Sequence, residues 1–130
     1  MLKPNAESRV VIDAAMQVHS ALGAGVLESA VDACLLYEFA ERGLHVQHQV
    51  RLPIAYRDLV LPTAYRLDFV VENCLLVEVK CVEKLLPVHK AQVLSDLRLS
   101  SLKLGLLINF NVPHLRDGIR RIINGPEEDL

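Results

Sequence analysis

At 130 residues, 52% hydrophobic and 23% charged, the chain can bury one core and is too apolar to remain disordered. A net charge of −2 excludes a general polyanion binder, and 5% aromatics without tryptophan weaken any single-strand platform built on base stacking. Cys34, Cys74 and Cys81 form no C-x-x-C pair and their odd number does not suit a secreted disulfide framework, so a cytoplasmic location is expected. The N-terminus lacks the apolar core of a signal peptide, and apolar runs such as that around Leu104 to Ile108 are far too short to span a bilayer. The apolar excess over what one small core covers predicts a homodimer.

After Asn5, Val11, Ala14, Ala15, Val18 and Leu22 recur at helical spacing up to Gly23-Ala24-Gly25, predicting a first helix. A second runs from about Leu27 to Arg42, with Gly43 at the position of a C-terminal capping glycine. From Val46 to Ile54 apolar and polar residues alternate, and Pro53 places this strand at an edge or an end. A short extended piece, Leu59 to Leu61, follows the Arg57-Asp58 turn. Ala64 to Val71 and Leu75 to Val82, joined by Glu72-Asn73-Cys74, read as a hairpin of central strands. Pro87 opens a third helix, Val88 to about Ser100; Lys103 to Phe110 is a buried strand, and a final helix is predicted over Leu115 to Ile123. The tail, about residues 124–130, is expected to fray from a single domain. The order predicts an α/β fold with a mixed sheet flanked by helices, the strand after the third helix joining in parallel.

Charge is uneven along the chain. Residues 1–79 carry six Lys/Arg against ten Asp/Glu, residues 80–121 carry eight against three, and the tail adds three acids. Positive potential beside carboxylates is what an enzyme acting on phosphodiesters needs, although solvated faces of separate helices account for the same count.

The chemistry concentrates in strands that otherwise read as buried. Leu76, Glu78 and Lys80 share one strand face, and Leu75, Val77, Val79 and Cys81 the other. A three-residue loop at 72–74 sets Val71 opposite Leu75 and Asp68 opposite Glu78, the two carboxylates roughly 5 Å apart at Cβ. Opposed carboxylates need a cation or a raised pKa, and Mg²⁺, which takes one or two carboxylates plus waters and phosphate oxygens, is the natural compensation. Lys80 on the same face could then orient a water nucleophile and offset charge growing on phosphorus. The alternative is a surface Glu78–Lys80 ion pair with Asp68 capping a loop.

The string Asp68, Glu78-Val79-Lys80 resembles the signature of the PD-(D/E)XK nuclease superfamily, with Leu67 where a Pro often stands. GAGVLESAV (Gly23 to Val31), RLDFVVE (Arg66 to Glu72), VEVKCVEKLLPVHKAQVL (Val77 to Leu94) and LGLLINFNVP (Leu104 to Pro113) resemble the GxxExxY protein family, a nuclease branch of that superfamily. The resemblance implies a restriction-endonuclease-like three-layer core. It also implies Mg²⁺ or Mn²⁺ held by Asp68, Glu78 and the main-chain carbonyl of Val79, with Lys80 activating the water. Glu28, the acid of G-x-x-E, would add a possible metal ligand, and Gln92 would help position Lys80, the water or the phosphate. Without the resemblance Glu28 reads as a first-turn helix acid and Gln92 as an exposed polar residue.

Two positions depart from the family pattern. Val31 stands where the family has its name-giving Tyr, and Asp96 where an aromatic follows Gln92 by four residues. Both point to altered specificity or weakened activity. His45 and His48 read as sheet residues on opposite sides, and His89 as a helix-terminal residue near the site. The function expected is metal-dependent hydrolysis of nucleic acid, DNA first. The rival is a catalytically weak or inactive nuclease-fold module that binds nucleic acid or a protein partner.

Overall fold

The structure, a computed structural model, describes residues 3–130. In chain order it runs α1 (Pro4–Leu22), α2 (Glu28–Glu41), β1 (Val46–Tyr56), β2 (Leu59–Val71), β3 (Leu75–Lys80), α3 (Pro87–Ser100), β4 (Leu104–Asn109) and β5 (Ile119–Ile123). Pro4 opens α1 in its first turn, where a missing N–H costs nothing, so Asn5 lies inside the helix. Val11, Ala14, Ala15 and Val18 are its buried stripe, and Gly23, at φ +73°, stops it while donating its N–H to the His19 carbonyl at 2.8 Å. Val31, Leu35 and Phe39 form the equivalent stripe of α2, which closes at Gly43.

The five strands form one mixed sheet in the order β1-β2-β3-β4-β5, with β3 and β4 parallel and every other pair antiparallel. Helices α1 and α2 cover one face, packing on Leu75, Val77 and Val79, with the Phe39 and Phe69 rings edge to face at 5.3 Å. Helix α3 covers the other through Val93 and Leu97, packed with Leu67, Val70, Leu76 and Leu107. The result is the three-layer α/β arrangement expected. Gly105 on β4 lets α3 settle on the sheet, since a Cβ there would stand 2.9 Å from Val93 Cγ1. The alternation on β3 is as the sequence predicts: odd-numbered residues face α1 and α2, and Leu76 faces α3.

Four expectations change. Leu59 to Leu61 is not a separate piece: β2 runs unbroken from Leu59 because edge strand β1 pairs with it on both sides of an irregularity between Leu52 and Ile54, where Pro53 sits. Strand β3 ends at Lys80, two residues early. The final helix over Leu115 to Ile123 is instead a 3₁₀ turn, Leu115–Gly118, followed by β5. Gly118 packs directly on the β4 backbone, where an added Cβ would meet the Asn109 carbonyl oxygen at 2.1 Å, and the β-branched Ile119, Ile122 and Ile123 then pair along β4. Residues 124–130 do not splay from the body: Asn124 N–H donates to the Lys103 carbonyl at 2.8 Å, and Leu130 is buried in the core. Among the described residues no helix is long and apolar enough to cross a membrane.

Candidate active site

The centre of the candidate site is the junction where β2 parts from β3. Val71, Val70 and Phe69 pair with Leu75, Leu76 and Val77, the register expected from a three-residue loop at 72–74. Glu72 and Asn73 supply its two left-handed residues, at φ +52° and +55°. The ladder stops there, so Asp68 and Glu78 are not the next cross-strand pair that the register predicts. Instead the Asp68 carboxylate reaches across and accepts the Val79 N–H at 2.8 Å, while the Asp68 N–H lies 3.4 Å from Glu78 Oε1. A side chain has taken the place of a ladder carbonyl.

The physical reason is a change of face. On β2, Phe69 and Val71 pack toward α1 and α2, yet Leu67 packs with Val70 toward α3 although the two are three residues apart. Strand β1 makes the same switch: Val46 packs toward α1 and α2, whereas Val50 and Leu52 pack toward α3. Between the His48–Phe69 and Val50–Leu67 pairs Gln49 has φ +57°, a left-handed conformation that costs a non-glycine residue about 1 kcal/mol or more. The switch takes Asp68 out of strict cross-strand pairing with Glu78, yet the two carboxyl groups stay close enough for Asp68 to raise Glu78.

Two adjoining cavities result. One, of about 200 Å³, is lined by Tyr65, Arg66, Glu78, Lys80, His89, Gln92, Val93 and Asp96. The other, of about 220 Å³, is lined by Glu28, Ser29, Asp32, Gln49, Arg66 and Asp68. The expected residues thus divide: Glu78, Lys80 and Gln92 stand on the α3 side, and Glu28 and Asp68 on the α2 side. Glu28 owes its place to the Gly23–Gly25 turn, where Gly25 N–H donates to Asn111 Oδ1 at 3.0 Å and fixes the start of α2 against the end of β4. Lys80 is held through its backbone, whose carbonyl accepts the Phe110 N–H at 2.9 Å. His89 fills both offered roles: its Nδ1 accepts the Leu86 N–H at 2.9 Å at the head of α3, and its side chain lines the Lys80 cavity.

Burial and neighbouring charge raise three acids of the site. Burial, then the charges of Asp68 and Asp96, push the Glu78 carboxyl up to about 9. Burial, then Asp68, push Asp96 up to about 6, against the pull of Lys80. Glu28 is also raised, first by burial and then by Asp68, with Lys80 and Arg66 opposing. Five acids, Glu28, Asp32, Asp68, Glu78 and Asp96, line the two cavities with two cations, Lys80 and Arg66. Among the described residues no three His, Cys, Asp or Glu side chains stand close enough to enclose a metal by themselves. An oxygen-loving dication that keeps its waters asks for only one or two carboxylates, and Asp68 with Glu78 fits that demand.

Sequence reasoning missed or undervalued several residues here. Asp96 lies with Val93 and Leu97 on the buried face of α3, and its carboxylate accepts no hydrogen bond among the described residues; an acid at an apolar-face position was the available signal. Asn109, 2% exposed, donates through Nδ2 to the Val82 carbonyl at 2.9 Å and accepts the Val82 and Asn111 N–H groups, tying the exit of β3 to the end of β4. Its signal was an amide ending an apolar strand. His48 is more than a sheet residue: it bonds Asp32 through Nε2 at 2.5 Å and stacks on Phe69 at 4.8 Å. Arg66 and Gln49 carried no signal that periodicity alone could raise. Val31, at the family's tyrosine position, is fully buried under α2 and does not line either cavity.

A family model described as the PD-(D/E)XK nuclease superfamily matches residues 5–122. No curated protein and no solved structure matches the chain. The matched span runs from the first turn of α1 into β5 and includes both cavities, so the chain belongs to the PD-(D/E)XK nuclease superfamily.

Proposed function

We propose that the protein, a single nuclease-like domain, is a metal-dependent nuclease that hydrolyses phosphodiester bonds of nucleic acid, DNA foremost, as a member of the GxxExxY branch. The observation that carries the reading is the interlock of Asp68 with the β3 backbone beside buried Glu78, with Lys80 next on the Glu78 face and opening into the same cavity. Asp68, Glu78 and the Val79 carbonyl would hold Mg²⁺ or Mn²⁺, with Glu28 as a further acid from α2. A dication bound there supplies Lewis-acid polarisation of a phosphoryl oxygen.

The chain's own groups do the rest. Lys80 donates hydrogen bonds to the attacking water and balances charge that grows on the phosphoryl oxygens. Gln92, one turn before Asp96 on α3, offers an amide to the same water or to a phosphate oxygen. Glu78, driven to hold a proton when the site is dry and metal-free, must release it to act as a ligand, so metal binding and deprotonation of Glu78 are one event.

We further infer a cytoplasmic homodimer that brings two sites to one duplex. The far end of the β1–β2 hairpin exposes Tyr56, Leu59, Val60 and Leu61, and α2 exposes Leu36 and Tyr37, apolar surface that a second copy would cover. Sedimentation equilibrium tests this point. The nuclease reading is tested by cleavage of labelled single- and double-stranded DNA and RNA in Mg²⁺ and Mn²⁺ by the purified protein, Glu78→Ala and Lys80→Ala. Cleavage lost in both variants is the expected result; no cleavage together with no metal binding by calorimetry would favour the binding-module alternative.

A further inference from the structure

We propose that Arg66, with Arg51 beside it, is the grip for a phosphate of the substrate strand next to the scissile one. The inference rests on the nuclease reading of the site and deepens it by naming the group that holds the substrate. Arg66 is the one residue that lines both cavities, the one holding Glu78 and Lys80 and the one holding Asp68 and Glu28. It stands two residues before Asp68 at the mouth of the site, and its side chain is exposed.

The second observation is independent of the cavities. Arg51 of β1 is the direct cross-strand partner of Arg66 of β2, so two guanidinium-bearing side chains leave the same sheet face at adjacent positions. Like charges directly opposed on a sheet are destabilising, and a protein normally relieves them with an acid. Neither arginine makes an ion pair among the described residues: the described pairs use Arg42, His48 and Arg121. Nor does either side chain donate a hydrogen bond to protein, although carboxylates line the cavities that Arg66 borders.

Two opposed arginines that form no ion pair among the described residues, beside a group of buried acids, are the complementary pattern for a phosphodiester strand. The metal-ligating acids take the scissile group, and a planar fork with five donors takes the neighbouring phosphate in bidentate fashion. Arg66 is a substrate-positioning residue in this account. Its side chain is exposed, and replacing it removes no ion pair among the described residues.

The test is fluorescence anisotropy with labelled DNA and RNA, single- and double-stranded, carried out in a Glu78→Gln background so that the probe is not cut, across a salt series. Arg66→Gln should weaken binding about tenfold on every sequence and lower the slope of log affinity against log salt by about 1. Arg51→Gln combined with it should lower the slope by about 2. Arg66→Lys should restore the slope but not the full affinity, because an ammonium cannot make the bidentate contact. The thermal midpoint of Arg66→Lys should stay near that of the Glu78→Gln parent, and those of the two Gln variants should not fall below it. An Arg66→Gln protein with parental affinity and salt slope overturns the assignment and leaves the nuclease reading standing if the native sequence cleaves. A native protein that neither binds nor cleaves any of the four probes in Mg²⁺ or Mn²⁺ overturns both.

Discussion

Glu78 makes the metal-free protein less stable as pH rises, and the effect can be worked from its surroundings. Burial, with Asp68 and Asp96 nearby, raises its carboxyl from 4.5 to about 9. Between those values the folded chain keeps a proton that the unfolded chain releases, so stability is fully present at acid pH and falls as pH climbs toward the folded value. Asp96, raised to about 6, acts in the same direction below that point, so the interval from about pH 6.5 to 8 lies above Asp96 and below Glu78. At about 1.4 kcal/mol per pH unit, this interval costs the fold about 2 kcal/mol. For a chain of this size that is a fall of about 6 °C in Tm. Glu78→Gln has the same shape without the titration, so its Tm should stay flat over the interval and exceed that of the native sequence at pH 8. On the proposed ligation Mn²⁺ would be held by the ionised carboxylate, so a concentration about a hundredfold above Kd should return about 2.7 kcal/mol and reverse the pH trend. The assay is thermal unfolding followed by circular dichroism in EDTA and in Mn²⁺. Parallel curves for the native sequence and Glu78→Gln from pH 6.5 to 8 in EDTA would refute the reasoning.

Lys80→Met should leave Mn²⁺ affinity within a few fold by calorimetry while reducing cleavage by about 10²- to 10⁴-fold, the range for loss of a positioned proton-handling group. Asp68→Asn retains an oxygen for the Val79 N–H and removes a charge, so its Tm in EDTA should rise, whereas Asp68→Ala leaves that buried N–H unpaired and should fall below Asp68→Asn by about 1–3 kcal/mol in urea unfolding. Gly105→Ala drives a methyl into Val93 and Leu97 and should cost about 1–3 kcal/mol; since α3 must lift to admit it, cleavage should drop as well, read by initial rates below the new Tm.

Periodicity made most of the fold legible. The stripes of α1 and α2, the alternation on β3 and the hairpin register at Val71 and Leu75 all follow from spacing alone, because each segment buries one face against one neighbour. The C-terminal segment failed for the converse reason. Leu115, Ile119, Ile122 and Ile123 fit a helical spacing, but Gly118 must touch the Asn109 carbonyl, a constraint set by β4 and not by local sequence. The site was legible as far as the spacing from Asp68 to Glu78 and Lys80. Its geometry was not, since strict alternation puts both acids on one face and the strands break alternation between Leu67 and Phe69.

That break spreads the acids of the candidate site over both faces of the sheet. Had β1 and β2 kept their pleat, Asp68 would project under α3 in direct register with Glu78; in the observed strands it lines the α2-side cavity while its charge still raises Glu78. The left-handed turn at Gln49 moves Asp68 toward Glu28 and leaves its carboxylate bonded to the β3 backbone. Each cavity then holds acids from two layers, and the boundary between the cavities is where Arg66 stands. Strain in one edge-strand residue is thereby exchanged for a site open to both faces. Gln49→Gly should raise the Tm by relieving the left-handed conformation, and its cleavage rate distinguishes the two uses of that residue: a rate held at the native level means that Gln49 only bends the strand, and a lower rate in a more stable protein means that its amide also meets the substrate.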